Sequence, residues 1–237
     1  MKSKLMVLGG LLLAGANAMA CYTVYDGNNR VVYRGHDAPV DMSLPLHQAL
    51  AAHFPAGASM VFDQAAACTP VRIAVDAFVP NRAQRRTLAR NADLRASVRP
   101  AARDDASFEL YRRYVGARHP GGGMDDPSPG DFDAFLSCAW SPTRFLELHQ
   151  GDALLAVAVT DVLGDSLSAV YTFFDPSQPA RSLGTQAILA QIEYARTLGL
   201  SYLYLGFWLE GHPKMDYKRR FRPLEFLDGD QWRPFPE

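Results

Sequence analysis

The chain has 237 residues, of which 48% are hydrophobic, 11% aromatic and 21% charged, and its formal net charge is −1. This composition is that of an ordinary globular protein, and it excludes wholesale disorder, a fibrous repeat and a small disulfide-rich scaffold. The length corresponds to one large domain or two small ones. The three cysteines, Cys21, Cys68 and Cys138, cannot all pair with one another, and their spacing gives no zinc motif. We therefore expect no metal site.

The first 20 residues resemble a targeting segment. Lys2 and Lys4 precede an apolar run over residues 5–16, and the small residues Ala18 and Ala20 on either side of Met19 are typical of a cleavage site. Cys21, directly after that site, is a candidate for lipidation. These features predict export or lipoprotein anchoring, and the alternative is an N-terminal extension without export value.

Residues 21–66 are predicted to form a small unit of their own, whose role the sequence does not reveal. Two β-type runs at 22–25 and 30–34 predict a hairpin. A helical stretch at 44–54 follows, and the composition changes shortly before the second unit, residues 67–237, begins.

The second unit mixes helices and strands. Residue periodicity predicts four helices, the first capped by Asn81, and five strands, three of which form an antiparallel meander. The predicted helices are 81–91, 107–119, 131–136 and 182–198, and the predicted strands are 71–75, 143–148, 154–160, 168–174 and 202–208. In the last strand, Leu203, Leu205 and Phe207 are predicted to share one face, opposite Trp208. The order of helices, meander, helix and strand predicts an acetyltransferase-like (GNAT-like) α+β domain.

Two basic clusters occur in this nearly neutral chain. Residues 81–103 contain seven arginines and one acidic residue. On a helix, Arg82, Arg86 and Arg90 lie at successive i+4 positions, so they form a ridge that either meets phosphates or is a solvated face. The second cluster is Lys214, Lys218, Arg219, Arg220 and Arg222, with Tyr217 and Phe221 between them. Together the clusters favour a polyanionic partner, and the interleaved aromatic residues favour base stacking.

Two further segments have the composition of binding loops. Arg118 and His119 precede three glycines, so a fixed charge and a proton acceptor stand beside accessible backbone, although a helix C-cap explains the same pattern. Residues 171–185 run from a strand end to a helix start, where free N–H groups favour an anion or a developing oxyanion. Ordinary N-capping by Ser182 or Thr185 is the alternative there.

Many long motifs follow one another along the second unit. They are Pro70-Val71-Arg72, Gln84-Arg85-Arg86, Tyr114 with Ala117-Arg118-His119, residues 121–125, Thr143-Arg144, residues 156–161, 168–176, 182–185, 202–208 and 214–218, and Phe221-Arg222-Pro223. With these motifs, residues 67–235 resemble the tRNA-dependent aminoacyl-protein transferases, and among them the bacterial aspartate/glutamate leucyltransferases.

The resemblance implies an enzyme without a cofactor. It would take an amino acid, leucine or alternatively arginine, from aminoacyl-tRNA and join it to the N-terminal α-amine of a protein or peptide beginning with Asp or Glu, a tag for N-degron degradation. Because charged tRNA is a cytoplasmic substrate, the resemblance implies a cytoplasmic protein, whereas the N-terminal segment alone indicates export. Membrane association is expected only if Cys21 is lipidated.

The resemblance also suggests roles for individual residues. The acceptor α-amine has a pKa of about 7.7 to 8, so a modest base is enough; His119 is the first candidate and Asp175 the second. Arg118 or Arg181 is expected to pair with the acidic side chain of the acceptor. The further substrate-binding candidates are Gly121, Gly122, Gly123, Tyr171, Ser182, Thr185, Tyr204 and Lys214. The tRNA-binding candidates are Arg72, Arg82, Arg85, Arg86, Lys218 and Arg222.

One part of the family's pattern is missing. Members of the family carry a cysteine cluster just before the Pro-Val-Arg motif that can bind an iron–sulfur cluster, but here Phe62, Asp63 and Ala65 occupy those positions and only Cys68 remains. We therefore expect no iron–sulfur cluster. The replaced N-terminal part puts activity in question and leaves an alternative, an exported or lipid-anchored protein whose transferase half is an inactive relic used only for binding.

Overall fold

The computed structural model describes only part of the chain. The described residues are 21–25, 31–35, 40, 50, 53–54, 59–63, 69–118, 126–136, 141–209, 212 and 215–236. The targeting-like segment and most of the helix predicted at 44–54 lie outside them. Within the described ranges, no helix has both the length and the apolar character needed to cross a membrane.

A small antiparallel sheet lies near the N-terminus, with the strand order β2-β1-β3. Its strands are β1 (Cys21–Tyr25), β2 (Val31–Gly35) and β3 (Ser59–Asp63). The pairing of β1 with β2 confirms the predicted hairpin strands, whereas β3 is absent from the predicted elements.

The larger sheet has eight strands in the described residues, in the order β11-β10-β4-β9-β8-β7-β6-β5. They are β4 (Thr69–Ala74), β5 (Arg95–Pro100), β6 (Thr143–Gln150), β7 (Ala153–Leu163), β8 (Ser166–Phe174), β9 (Tyr202–Trp208), β10 (Leu224–Asp228) and β11 (Gln231–Pro234). Neighbouring strands are antiparallel except β8 and β9, which run parallel. The meander β6-β7-β8 and the later strand β9 confirm the prediction.

Helices lie between these strands. The α-helices are α1 (Arg82–Arg90), α2 (Asp105–Arg118), α3 (Pro129–Leu136) and α4 (Leu183–Thr197), and the 3₁₀ helices are η1 (Pro179–Arg181) and η2 (Asp216–Arg220). The four predicted helices are confirmed to within two residues at each end. Asn81 and Gln84 begin α1 with a reciprocal capping box, in which each side chain accepts the backbone N–H of the other residue, at 3.0 and 2.8 Å.

The helices cover both faces of the larger sheet because side chains alternate along its central strands. Phe145 and Val157 pack into one apolar cluster with α2 and α3, whereas Leu146, Ala156 and Ala158 pack into another with α4. α1 lies beside α4. The structure therefore confirms a mixed fold with a large, mainly antiparallel sheet and flanking helices, and the acetyltransferase-like topology stays a prediction.

β8 and β9 pair only over their first residues, at Ser166 with Tyr202, Leu167 with Leu203 and Ser168 with Tyr204. In the described sheet, residues 169–174 of β8 then pair only with β7, and residues 206–208 of β9 only with β4. The two parallel strands therefore separate toward their C-terminal ends. We call the opening between them the wedge.

The faces predicted for β9 are wrong beyond Leu205. The pairing of β9 with β4 skips Leu205, and the next residue, Gly206, has φ of +74°. An inserted residue of this kind shifts the alternation of side chains by one position, and glycine adopts a positive φ without steric cost. Trp208 consequently packs against the same apolar cluster as Leu205, and Phe207 is 40% exposed.

Candidate active site

One side of the wedge is formed where α2, β8 and α4 meet. The ring of Tyr114 on α2 lies 6.2 Å from the ring of Tyr171 and 4.8 Å from the ring of Phe174, measured between centroids. Gly184 in the first turn of α4 approaches the same Phe174 so closely that a Cβ at this position would be 3.2 Å from the ring. The absence of a side chain at Gly184 therefore brings the start of α4 against the end of β8.

The other side of the wedge is formed by β9 and η2. Lys218 of η2 is buried, and its Nζ donates a hydrogen bond to the carbonyl of Phe207, on the part of β9 that has no β8 partner. Lys218 therefore satisfies a strand carbonyl that the separation of the strands leaves free. Its neighbour Tyr217 is 39% exposed, and partial burial together with the Tyr114 phenol raises the pKa of Tyr217. η2 thus lies beside β9.

The phenols beside the wedge stay neutral near pH 7. Burial raises the pKa of Tyr171 far above its ordinary value, and the phenols of Tyr114 and Tyr111 raise it further. Burial also raises the pKa of Tyr114, while the charge of Arg118 acts in the opposite direction on both Tyr114 and Tyr171. A neutral phenol both donates and accepts hydrogen bonds, so these groups can orient a polar substrate but are not bases near neutral pH.

β8 carries a bulge beside the wedge. Val159 of β7 lies opposite Tyr171 and Thr160 lies opposite Ala169, so the register skips Val170. Val170 is 44% exposed and lies beyond the last pair of β8 with β9. Since a bulged residue is unpaired in its ladder, the N–H of Val170 is a candidate donor to a developing oxyanion.

The start of α4 offers further backbone donors. Ser182 has φ of +53° and ψ of +48°, a left-handed conformation that costs free energy in a residue other than glycine. Its side chain makes no capping hydrogen bond, and Thr185 lies inside the first turn of the helix. Ordinary N-capping by either residue is therefore wrong, and among the described residues no side-chain hydrogen bond to the first N–H groups of α4 is present.

Asp175 follows β8 and is an ionised hydrogen-bond acceptor. It is 8% exposed; its Oδ1 accepts the N–H of Ser177 at 2.9 Å, and its Oδ2 lies 3.8 Å from Nη1 of Arg113. Burial raises the pKa of Asp175, but the hydrogen bonds from Ser177 and Gln178 and the charge of Arg113 outweigh it, so the pKa is lowered from 3.8. A carboxylate with a lowered pKa is a weak base toward an amine. Asp175 therefore remains the second candidate for the general base, after His119.

Two of the predicted binding residues have partners away from the wedge. The side chain of Arg72 is 12% exposed; its Nε donates to Glu225 at 2.7 Å, and its Cζ lies 3.6 Å from the centroid of the Tyr202 ring. Arg72 also donates to the hydroxyl of Tyr204 at 3.2 Å, and the Tyr204 ring contacts Trp232. Arg72 and Tyr204 therefore hold β4, β9 and the C-terminal strands together, and a phosphate would compete with Glu225 for Arg72.

Arg181 and Arg222 are also engaged within the protein. Both terminal nitrogens of Arg181 donate to the carboxylate of Asp93, each at 2.9 Å, and its Nε donates to Gln178 at 2.7 Å. Arg222 donates to the carbonyls of Phe235 and Pro236, each at 2.7 Å. Arg181, Arg222 and Lys218 therefore all bind groups of the protein itself.

The exposed arginines of α1 lie next to those of η2. Arg82, Arg85 and Arg86 are exposed, and none of them has a carboxylate partner in the described part of the chain. Asn81 and Gln84 donate side-chain hydrogen bonds to the carbonyl of Arg220, at 3.2 and 3.1 Å, and Arg220 is exposed as well. The two clusters that are far apart in the sequence therefore form one region, which we call the arginine surface and define as Arg82, Arg85, Arg86 and Arg220.

Some of the residues predicted to bind substrate or to act as the base are not among the described residues. His119, Gly121, Gly122, Gly123 and Lys214 lie outside the described residues, and their roles stay predictions. Across the described ranges, no group of three or more His, Cys, Asp or Glu side chains could hold a metal ion.

Tyr114 and Tyr217 lie in motifs of the sequence, but the sequence predicts no role for either at the wedge. The signal for Tyr114 was its helical spacing, three residues after Tyr111 and four before Arg118. Tyr217 lies about a hundred residues further along the chain, so no local pattern relates it to Tyr114.

Comparisons with known proteins identify relatives of most of this chain. Residues 106–228 match the family model described as the C terminus of arginine-tRNA-protein transferase. The chain is 56% identical over 175 residues to the aspartate/glutamate leucyltransferase of Stenotrophomonas maltophilia, covering 71% of this chain and 70% of that protein. It is 57% identical over 176 residues to the enzyme of the same name from Xanthomonas campestris pv. campestris, covering 72% and 70%. Among solved structures, the ribosomal-protein-S18-alanine N-acetyltransferase from Escherichia coli is 18% identical with a TM-score of 0.34, over 46% of this chain and 64% of that one.

Proposed function

This chain belongs to the arginine-tRNA-protein transferase family and is an aminoacyltransferase, and from that premise we propose that it transfers leucine from leucyl-tRNA to the N-terminal α-amine of proteins beginning with Asp or Glu. The names of its relatives support leucine over arginine as the donor amino acid. The added residue would serve as an N-degron. Because the donor is charged tRNA, we also propose that the protein acts in the cytoplasm.

The reaction needs positioning more than activation. The neutral α-amine nitrogen attacks the carbonyl carbon of the aminoacyl ester and forms a tetrahedral oxyanion. As that intermediate collapses, the C–N bond remains, the bond to the ribose oxygen breaks, and the amine loses one proton while the ribose oxygen gains one. Alignment of the two substrates and stabilisation of the oxyanion therefore supply most of the rate enhancement.

The observation that carries this proposal is the connection between the arginine surface and the wedge. η2 has five residues, of which Lys218 is at the wedge and Arg220 is at the arginine surface. A 3₁₀ helix rises about 2 Å per residue, so Lys218 and Arg220, two residues apart, are separated by about 4 Å along η2. A tRNA whose phosphates bind the arginine surface would therefore have the wedge within reach of its single-stranded 3′ end.

The wedge supplies groups suited to the acyl transfer. The N–H of Val170 and the uncapped start of α4 are candidate donors to the oxyanion. We propose His119 as the general base. It directly follows Arg118, the last residue of α2. A neutral imidazole accepts a proton near pH 7, whereas the carboxylate of Asp175 is held ionised by its hydrogen bonds.

The donor amino acid can be tested directly. The purified chain is incubated with leucyl-tRNA or arginyl-tRNA, each carrying a labelled amino acid, and with a peptide beginning with Asp. We expect labelled peptide with leucyl-tRNA and little with arginyl-tRNA. Labelling by arginyl-tRNA alone would retain the reaction and reject leucine as the donor.

A separate prediction concerns Arg181, which the structure pairs with Asp93. Arg181→Gln is expected to lower the midpoint of thermal unfolding at pH 7 and to leave the preference for acidic acceptors unchanged. The hydrogen bond from Arg181 is the main cause that lowers the pKa of Asp93 from 3.8. The stabilisation is therefore present above pH 3.8, and it is lost as the pH falls through the lowered pKa.

Thermal scans at several pH values check this prediction, with Asp93→Asn as the partner variant. The double variant should lose less stability than the sum of the two single losses, because both single variants remove the same ion pair. Normal stability of Arg181→Gln combined with a lost preference for acidic acceptors would return Arg181 to the acceptor site.

A further inference from the structure

One face of α2 leads to the wedge. Tyr111 and Tyr114 are 1% and 8% exposed on this face, and their ring centroids lie 6.4 and 6.2 Å from that of Tyr171. Arg118 lies four residues after Tyr114, which places it on the same face one turn further on. Unlike the two tyrosines, Arg118 is exposed. The buried aromatic face therefore ends in an accessible cation.

Arg118 differs in its partners from the other arginines on this side of the molecule. Arg113 lies 3.8 Å from the carboxylate of Asp175, and Arg181 is paired with Asp93. In the described ranges of the chain, Arg118 has no carboxylate partner. The phenols of Tyr114 and Tyr171 are near enough for the charge of Arg118 to oppose the rise of their pKa values. A cation that has no counterion among the described residues thus lies near two neutral O–H groups.

We infer that Arg118, with the hydroxyls of Tyr114 and Tyr171 beside it, binds the side-chain carboxylate of the acceptor's first residue. This inference rests on the proposed function and assigns the residue that determines its specificity. A guanidinium binds a carboxylate through two parallel N–H···O bonds, and neutral phenols donate to a carboxylate as well. Asn and Gln have the shapes of Asp and Glu without the charge, so they cannot replace them in such a site.

Two other roles for Arg118 give different results. A cation in the last turn of a helix interacts favourably with the helix dipole, and if that were the whole role, its removal would lower stability but leave specificity unchanged. A phosphate contact to tRNA would raise the KM for tRNA to the same extent with every acceptor. Only the acceptor site couples Arg118 to the charge of the first residue of the peptide.

The test compares peptides that differ only in their first residue, Asp against Asn and Glu against Gln. In the unmodified enzyme kcat/KM should strongly favour the acidic member of each pair. Arg118→Gln should reduce that preference by about 10- to 100-fold, the range expected for one charge-assisted hydrogen-bonded pair. Arg118→Lys should retain part of the preference, because it keeps the charge but loses the planar fork.

Arg112→Gln is the matched control, since Arg112 is on the same helix and pairs with Glu109 at 3.4 Å. It makes the same charge change and should leave the preference unchanged. Calorimetric binding of the same peptides without tRNA separates this inference from the proposed function. An unmodified chain that binds the Asp peptide better than the Asn peptide, but transfers nothing, would retain the acceptor site and reject the transferase reaction. No preference in the unmodified chain, or an unaltered preference in Arg118→Gln, would overturn the inference.

Discussion

The triple variant Arg82→Glu, Arg85→Glu and Arg86→Glu is expected to bind tRNA about 10²- to 10³-fold more weakly at about 0.1 M salt. The three side chains are exposed and lack carboxylate partners in the described part of α1 and its surroundings. Each phosphate that such a cation neutralises releases counterions and contributes about −0.9 to the slope of log affinity against log salt concentration. Loss of three contacts should therefore make the slope shallower by about 3.

The control must change the net charge equally at another place. Arg103, Arg112 and Arg233 are suitable because each is paired with a carboxylate, of Asp133, Glu109 and Asp228 respectively. Their triple replacement by Glu should change affinity and slope far less than the α1 variant does. Filter binding at several salt concentrations measures both quantities. If the two variants bind tRNA equally well, α1 is only a solvated face.

His119→Ala is expected to lower the rate of transfer at saturating substrates by about 10²- to 10⁴-fold, the usual contribution of a general base. Affinity for tRNA should change little, because the proton moves only on the way to the transition state. Single-turnover transfer from leucyl-tRNA to a peptide beginning with Asp gives the rate, and filter binding gives the affinity.

Asp175→Asn tests the competing assignment of the base. Asn keeps an oxygen that can accept the N–H of Ser177, so the loop after β8 should be retained and the rate should fall only modestly. A large loss of rate in Asp175→Asn, combined with a nearly normal His119→Ala enzyme, would transfer the role of base to Asp175. Loss of tRNA affinity in His119→Ala would instead indicate a binding role for His119.

Local sequence patterns predict the helices and strands that are stabilised by interactions between residues close together in the sequence. α1 begins at a capping box formed by Asn81 and Gln84, and α4 has a continuous apolar stripe that ends before Gly199, whose φ is +67°. The edge strand β5 (Arg95–Pro100) lacks such a signal, because in the described sheet it pairs only with β6 and most of its side chains are exposed. Its polar and apolar residues alternate, but the apolar residues Ala96, Val98 and Pro100 are on the exposed face, so the pattern does not indicate a half-buried strand. Its arginines are predicted only as part of a basic cluster.

The sequence predicts which charged residues belong to the candidate site, but not which residues they pair with in the fold. The two arginine clusters are visible in the sequence, whereas the hydrogen bonds that join them connect Asn81 to a carbonyl 139 residues later. The same limit explains why Arg72 and Arg181 were expected to bind substrates: their carboxylate partners Glu225 and Asp93 lie 153 and 88 residues away. Only the folded chain shows which cations are already paired.

The most direct measurement is N-terminal analysis of an acceptor peptide after incubation with the purified full chain and charged tRNA. Peptides beginning with Asp, Glu, Arg or Ala are compared, and deacylated tRNA is the control for each. We predict that the peptides beginning with Asp and Glu gain one amino acid at the α-amine, and only when the tRNA is charged. If no peptide is extended by any charged tRNA, while the chain still binds tRNA, the protein is a binding relic and the proposed reaction is contradicted.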